Sequence, residues 1–296
     1  MKETYAQVIE MAIADFEEFF EPSANFKVNF AFRNINQFAT VSGNKDKSTI
    51  LINNFSSSEK IKSLQDVMMC LIVIGHELAH YINRHNSHVD KTKADSVAIE
   101  GWADYFGARI TFTLITYGVR ITNLIEQLTA IPFAKPAPFA WRQNMVLSAM
   151  GQALIRAFDT LYKPGDGSGR YLTSDLRTYS FLGGVTSFFY RAYGELDENL
   201  LVPILKKLSI DSKLADHVYD PREGFVDQEH FDRTRNIHLE IQGRGQPSIT
   251  GGLKLNYRNL LGTSYVDSPV QRMISKKRIE NQLRAWKFKV DIDTFG

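Results

Sequence analysis

Residues 4–20 place Tyr5, Val8, Ile9, Ala12, Ile13, Phe16 and Phe20 at helical spacing. That pattern predicts an amphipathic helix, and Glu21-Pro22 ends it, because a residue before proline is disfavoured in the helical region. The period then changes to two. In FKVNFAFR, Phe26, Val28, Phe30 and Phe32 alternate along the chain, which predicts a half-buried strand. QFATVSGNKDKSTILINNF predicts a hairpin, with GNKDK as the turn between FATV and TILIN. Over residues 60–86 the apolar positions Ile61, Leu64, Val67, Met68, Leu71, Ile74, Leu78 and Ile82 recur every three to four residues. This is the pattern of a largely buried helix.

After the polar turn NSHVDKTK, a second helix is predicted from Ala94 to Tyr117, its apolar face formed by Val97, Ala98, Tyr105, Ala108 and Phe112. A Pro-rich loop, IPFAKPAPF, precedes helices near 141–162 and 174–193, which KPGDGSGR separates. Short helices follow, then an irregular segment with room for strands from Arg233 to Val266, then a basic helix over 270–289. The fold class this order predicts is α+β: an N-terminal helix, a small antiparallel or mixed sheet and two long helices. Residues 1–195 are expected to form the main domain, and 196–296 a mostly helical accessory region.

Composition narrows the field. The chain has 296 residues, 44% hydrophobic and 23% charged, with a formal net charge of +2. This is ordinary for a globular protein and makes no general case for nucleic acid or an anionic membrane as partner. The single cysteine, Cys70, excludes an intrachain disulfide and a multi-cysteine zinc site, and it suits a reducing compartment. The longest apolar run, VMMCLIVIG, stops at His76 and Glu77, too short to span a bilayer. The acidic N-terminus lacks a signal-peptide pattern. A cytoplasmic, soluble protein is expected.

Chemistry enters at HELAH. His76 and His80 are four residues apart, one turn apart on one helix face, so both imidazoles can reach one ion. Glu77 is turned about 100° round the helix. There it can reach a water on the metal and serve as general base. A catalytic zinc needs a third protein ligand. His85 lies about 140° from His80 by helical reckoning and is expected to point elsewhere; His88 sits two turns on. Glu100 and Asp104, in AIEGWADYFGAR, share one face of the second helix. If that helix folds back, Glu100 ligates and Asp104 accepts a hydrogen bond from a ligand imidazole.

HELAH followed by EGWAD resembles the HExxH…ExxAD pattern of gluzincin-type zinc peptidases. It is similar to the catalytic modules of the CAAX-prenyl endopeptidase and heat-shock membrane protease families, and to the soluble phage-exclusion peptidase Lit. The resemblance covers about residues 25–115 and implies a zincin-like fold, one zinc ion per chain and endopeptidase activity, with phage defence or regulation as its setting. It also implies a protein or peptide substrate bound along an edge strand at residues 48–55. The families' downstream HPxxxxR is echoed by YLTSDLR, with Tyr171 in the His place, Leu172 in the Pro place and Arg177 at the end. The resemblance implies that Tyr171 or Arg177 helps hold the oxyanion.

Other expectations stand beside these. A zinc-stabilised binding or regulatory protein that does not cleave would share every ligand. A nucleic-acid binder would use the basic helix at 270–289. His217, His230 and His238 lie in polar sequence and are expected at the surface.

Overall fold

A computed structural model describes residues 3–44, 47–88, 92–129, 139–158, 172–193, 198–211, 228–245 and 249–262. The Pro-rich loop at 130–138, the KPGDGSGR linker, Tyr171 and the basic segment at 270–289 lie outside the described residues. Helix α1 (Tyr5–Glu18) matches its sequence pattern and starts with a capping box, Thr4 accepting from the Gln7 backbone N–H. Strand β1 is shorter than expected, Phe30–Arg33. The hairpin forms as β2 (Ala39–Ser42) and β3 (Thr49–Asn53), paired antiparallel.

The sheet order is β1-β3-β2, and this corrects one expectation. The strand at 48–55 is not an edge. β1 returns alongside β3 in parallel register, Phe30 opposite Ile50, and the Ile50 N–H donates to the Asn29 carbonyl at 2.8 Å. Both edges of β3 are therefore occupied. The reason lies in its side chains: Ile50 and Ile52 are completely buried, and a strand buried this way belongs in the middle of the sheet. The open edge on the hairpin side is that of β2. Since Asn53 donates to Phe38, antiparallel alternation turns the backbone groups of Ala39 and Val41 outward. The Val41 carbonyl already accepts from the Asn86 side chain at 2.8 Å.

A single helical turn, α2 (Asn54–Ser57), leads to the long pair, α3 (Leu64–Asn83) and α4 (Lys93–Tyr117). Each of the two begins with a capping box, Ser63 with Asp66 and Thr92 with Asp95. Apart from its first two residues, Leu64 and Gln65, α3 is buried all round. Then come α5 (Val119–Thr129), α6 (Phe139–Arg156), α7 (Ser174–Tyr193), α8 (Glu198–Asp211), α9 (Gln228–Gly243) and α10 (Leu255–Leu261). The last two occupy the segment expected to be irregular. α5 was not foreseen; buried Asp15 of α1 accepts from the Arg120 and Ile121 backbone N–H groups at its start. One continuous hydrophobic core runs from Tyr5 to Leu261 and includes Ile204, Leu208, Leu253 and Leu260. No helix among the described residues is long and apolar enough to cross a membrane.

Two close crossings place α4. A Cβ on Gly107 would stand 2.9 Å from the His76 Cα, and one on Gly75 would stand 2.8 Å from the Gly107 carbonyl. Only glycine on both helices allows this approach, and it brings the Glu100–Asp104 face against His76. On the other side of α4, a Cβ on Gly184 would stand 2.0 Å from the Tyr105 carbonyl, so α7 also lies directly against α4.

Candidate metal centre

His76, His80 and Glu100 converge. Each offers one atom, and the three lie within 4.8 Å of one another. His76 Nε2 is 3.0 Å from His80 Nε2 and 3.3 Å from Glu100 Oε2; His80 Nε2 is 3.7 Å from Glu100 Oε1. Ligands at about 2.0–2.1 Å from a tetrahedral ion stand about 3.3 Å apart. The observed separations bracket that value.

The remaining nitrogens show why a cation fits. His76 Nδ1 is 2.8 Å from Asp104 Oδ1, and the carboxylate fixes the imidazole proton on Nδ1. His76 Nε2 is then a bare lone pair. His80 presents its other nitrogen, Nδ1, to His85 Nδ1 at 2.8 Å; with His80 as the donor, its Nε2 is bare in the same way. Two lone pairs and a carboxylate facing one another at these distances repel unless a positive charge sits among them. A metal ion supplies that charge; in its absence a proton does. Burial works against a charge on His76, yet Asp104 and Glu100 push its pKa up to about 9.

The two glutamates are driven apart. Burial alone would raise Glu100, but the imidazoles of His80 and His76 hold its carboxyl well below the usual range. For Glu77, 5% exposed, burial dominates and pushes the carboxyl up despite His76 and His80. One carboxylate is thus kept ionised beside the two imidazoles, and the other is pushed toward its protonated form, two carboxyls whose surroundings drive them apart.

Arg177 lies beside the group, with a terminal nitrogen 3.7 Å from Glu100 Oε2. It is 1% exposed and grips Asp104 with two parallel hydrogen bonds of 2.8 Å, from Nε and one terminal nitrogen. Its guanidinium also stacks over Phe158 at 4.9 Å. It meets His76 on the Nδ1 side, at 3.4 Å. The chain from Arg177 through Asp104 to His76 holds one imidazole in place.

Two histidines depart from expectation. α3 ends at Asn83, and Arg84 adopts a left-handed conformation with φ of 55°. Helical reckoning therefore fails for His85, which turns back onto His80. His238, expected at the surface, is 1% exposed, and burial pushes its pKa down to about 3, so it is neutral. Its Nε2 is 2.8 Å from His85 Nε2. Thr234, Ile237, His238 and Ile241, spaced three and four apart and all buried, form a helical stripe that could have identified it. His88 is not part of the group. It faces Asp95 at 3.5 Å and Glu240 at 3.4 Å, beside a cleft of about 430 Å³ lined also by Asp232, Arg233 and Asn236.

The chain matches no protein-family model, no curated protein and no solved structure. The group of His76, His80 and Glu100, able to hold a metal ion, therefore rests on its own geometry.

Proposed function

We propose that this chain is a zinc-dependent endopeptidase acting on a protein or peptide in the cytoplasm. One observation carries this: His76, His80 and Glu100 each offer a ligand atom within 4.8 Å of the others, next to a buried glutamate whose carboxyl is pushed up. His76, His80 and Glu100 would hold the ion. Zinc, when bound, makes water acidic near neutral pH and polarises a carbonyl. Glu77 takes a proton from the water that attacks the scissile carbonyl and delivers it to the amide nitrogen as the C–N bond breaks. Asp104 and Arg177 fix His76. Tyr171 or Arg177 would help hold the oxyanion, Arg177 also orienting His76 through Asp104. An extended substrate would lie along the outer edge of β2 rather than along 48–55. The likeness to a phage-exclusion peptidase makes phage-infected cells the first source of substrates to screen.

A second reading has its own support. His76, Glu77 and His80 are all less than a tenth exposed, which suits a structural zinc in a protein that binds rather than cleaves. One experiment separates the two: zinc content by mass spectrometry and peptide-library cleavage for wild type, Glu77→Gln and Glu100→Ala. The proposal expects about one zinc in the first two proteins and much less in the third. It also expects turnover in the wild type to fall about 10²–10⁴-fold in Glu77→Gln. Zinc in the wild type with no cleavage of any peptide would favour the binding protein. A folded wild type without zinc would sink both.

A further inference from the structure

We propose, on the footing that His76, His80 and Glu100 hold a metal, that His85 and His238 are positioning residues for the ligand His80, so that α9 completes the site. The three imidazoles form a line. His80 Nδ1 and His85 Nδ1 are 2.8 Å apart, and His85 Nε2 and His238 Nε2 are 2.8 Å apart. His85 and His238 are each 1% exposed.

With His80 Nε2 turned to the ion, each imidazole has one proton position left open by its partners. His80 carries its proton on Nδ1 and donates to His85. His85 then carries its own on Nε2 and donates to His238. The hydrogen bonds run in one direction, outward from the metal, and each fixes the tautomer before it. A metal-ligating histidine needs such an acceptor for its other nitrogen. His76 has a carboxylate in that place; His80 has an imidazole backed by a second one.

The geometry around His238 keeps this line in register. His85 and His238 meet edge to edge, with planes 6° apart and ring centres at 5.1 Å, and Trp102 meets His238 edge-on at 5.4 Å. Trp102 lies on α4 between Glu100 and Asp104, so the ligand helix itself presses on the line. α9 is pinned to α4 at two further points: Thr234 donates to the Ala98 carbonyl at 3.1 Å, and Arg233 to Asp95 at 3.2 Å. The left-handed Arg84 lets His85 reach inward. A segment more than 150 residues downstream of His80 thus orients one of its ligands.

The test uses the full chain and zinc itself. Zinc affinity is measured by competition with a chromophoric chelator for wild type, His238→Phe and His238→Gln. Phenylalanine keeps the ring and loses the acceptor. Glutamine keeps an acceptor at the position of Nε2. His238→Phe is expected to bind zinc at least about ten-fold more weakly, with glutamine restoring affinity to within a few-fold. In ¹⁵N-histidine spectra of the zinc form, the His80 Nδ1–H signal should be slow to exchange in wild type and exchange-broadened in His238→Phe. A folded His238→Phe binding zinc as tightly as wild type would overturn the proposal while leaving the metal site standing. Wild type without zinc would overturn both together. Should His238→Phe fail to fold, His85→Asn against His85→Leu asks the question one link closer. Asparagine keeps the acceptor at the Nδ1 position and leucine does not, so equal zinc affinities in that pair would also overturn it.

Discussion

Removing Arg177 should cost stability out of proportion to its single side chain. Asp104 is 2% exposed and Arg177 1%, and they share two hydrogen bonds of 2.8 Å. Taking one partner from a buried ion pair costs about 3–5 kcal/mol, because the remaining charge is left uncompensated. Here His76 offers partial relief: its Nδ1 stays 2.8 Å from Asp104, and in the metal-free chain its raised pKa lets it carry a proton at neutral pH. The lower end, about 3 kcal/mol, is therefore expected for Arg177→Met without metal. Asp104→Asn should cost a similar amount, since the guanidinium then keeps only the longer contact to Glu100, at 3.7 Å. The double variant removes both charges, so its loss should fall short of the sum by about 2 kcal/mol or more.

The assay is thermal unfolding of the four proteins in chelator, repeated with zinc. At about 2–4 °C per kcal/mol for chains of 150–250 residues, each single variant should melt roughly 6 °C or more below wild type. The two substitutions should separate with zinc. Asp104→Asn removes the carboxylate that sets the His76 tautomer and should weaken zinc by about 10–100-fold; Arg177→Met leaves that carboxylate and should weaken it less. Melting losses that simply add in the double variant would refute the coupled arrangement.

Gly184→Ala places a Cβ 2.0 Å from the Tyr105 carbonyl; it should destabilise by about 1–3 kcal/mol and, by moving α7, loosen Arg177 from Asp104. An unchanged melting point would show that α7 and α4 do not touch as described. Acid should act through Asp95: burial would raise its carboxyl, but Thr92, Arg233 and His88 hold it at about 2. A carboxyl lower in the folded state stabilises above its unfolded value near 3.9 and loses that contribution as pH falls toward 2, up to about 2 kcal/mol. Asp95→Asn should therefore melt lower at pH 6 yet lose less between pH 4 and pH 2, and parallel acid slopes for the two proteins would contradict this.

What the sequence made legible follows from how far each signal reaches. Periodicity is local, so α1, α3, α4 and α7 could be read from apolar spacing, and HELAH and EGWAD could be set on helix faces. That α4 folds back against α3 could only be supposed; the close approach depends on Gly75 and Gly107, which carry no apolar signal. Strand order is non-local. Nothing in TILIN says that β1 will return to its free side, and the edge was misassigned for that reason. α5 was missed because the positions of Ile121, Leu124 and Ile125 gain meaning only once Asp15, more than a hundred residues earlier, caps its start.

The histidines mark where helical reckoning stops. Angles counted from His80 hold only while the helix continues, and it ends at Asn83. Arg84 takes up a conformation that costs a non-glycine residue roughly 1–2 kcal/mol, so no sequence preference announces it. That strain is offset by what it allows: His85 turned inward, paired on both ring nitrogens, between a ligand of α3 and a residue of α9. The two histidines of the candidate site thus differ in what supports them. His76 depends on a carboxylate and an arginine from α4 and α7, whereas His80 depends on two imidazoles, one of them from α9. Losing charge at Asp104 and losing docking of α9 should therefore weaken the metal independently, and zinc affinities of Asp104→Asn, His238→Phe and their combination should multiply rather than saturate.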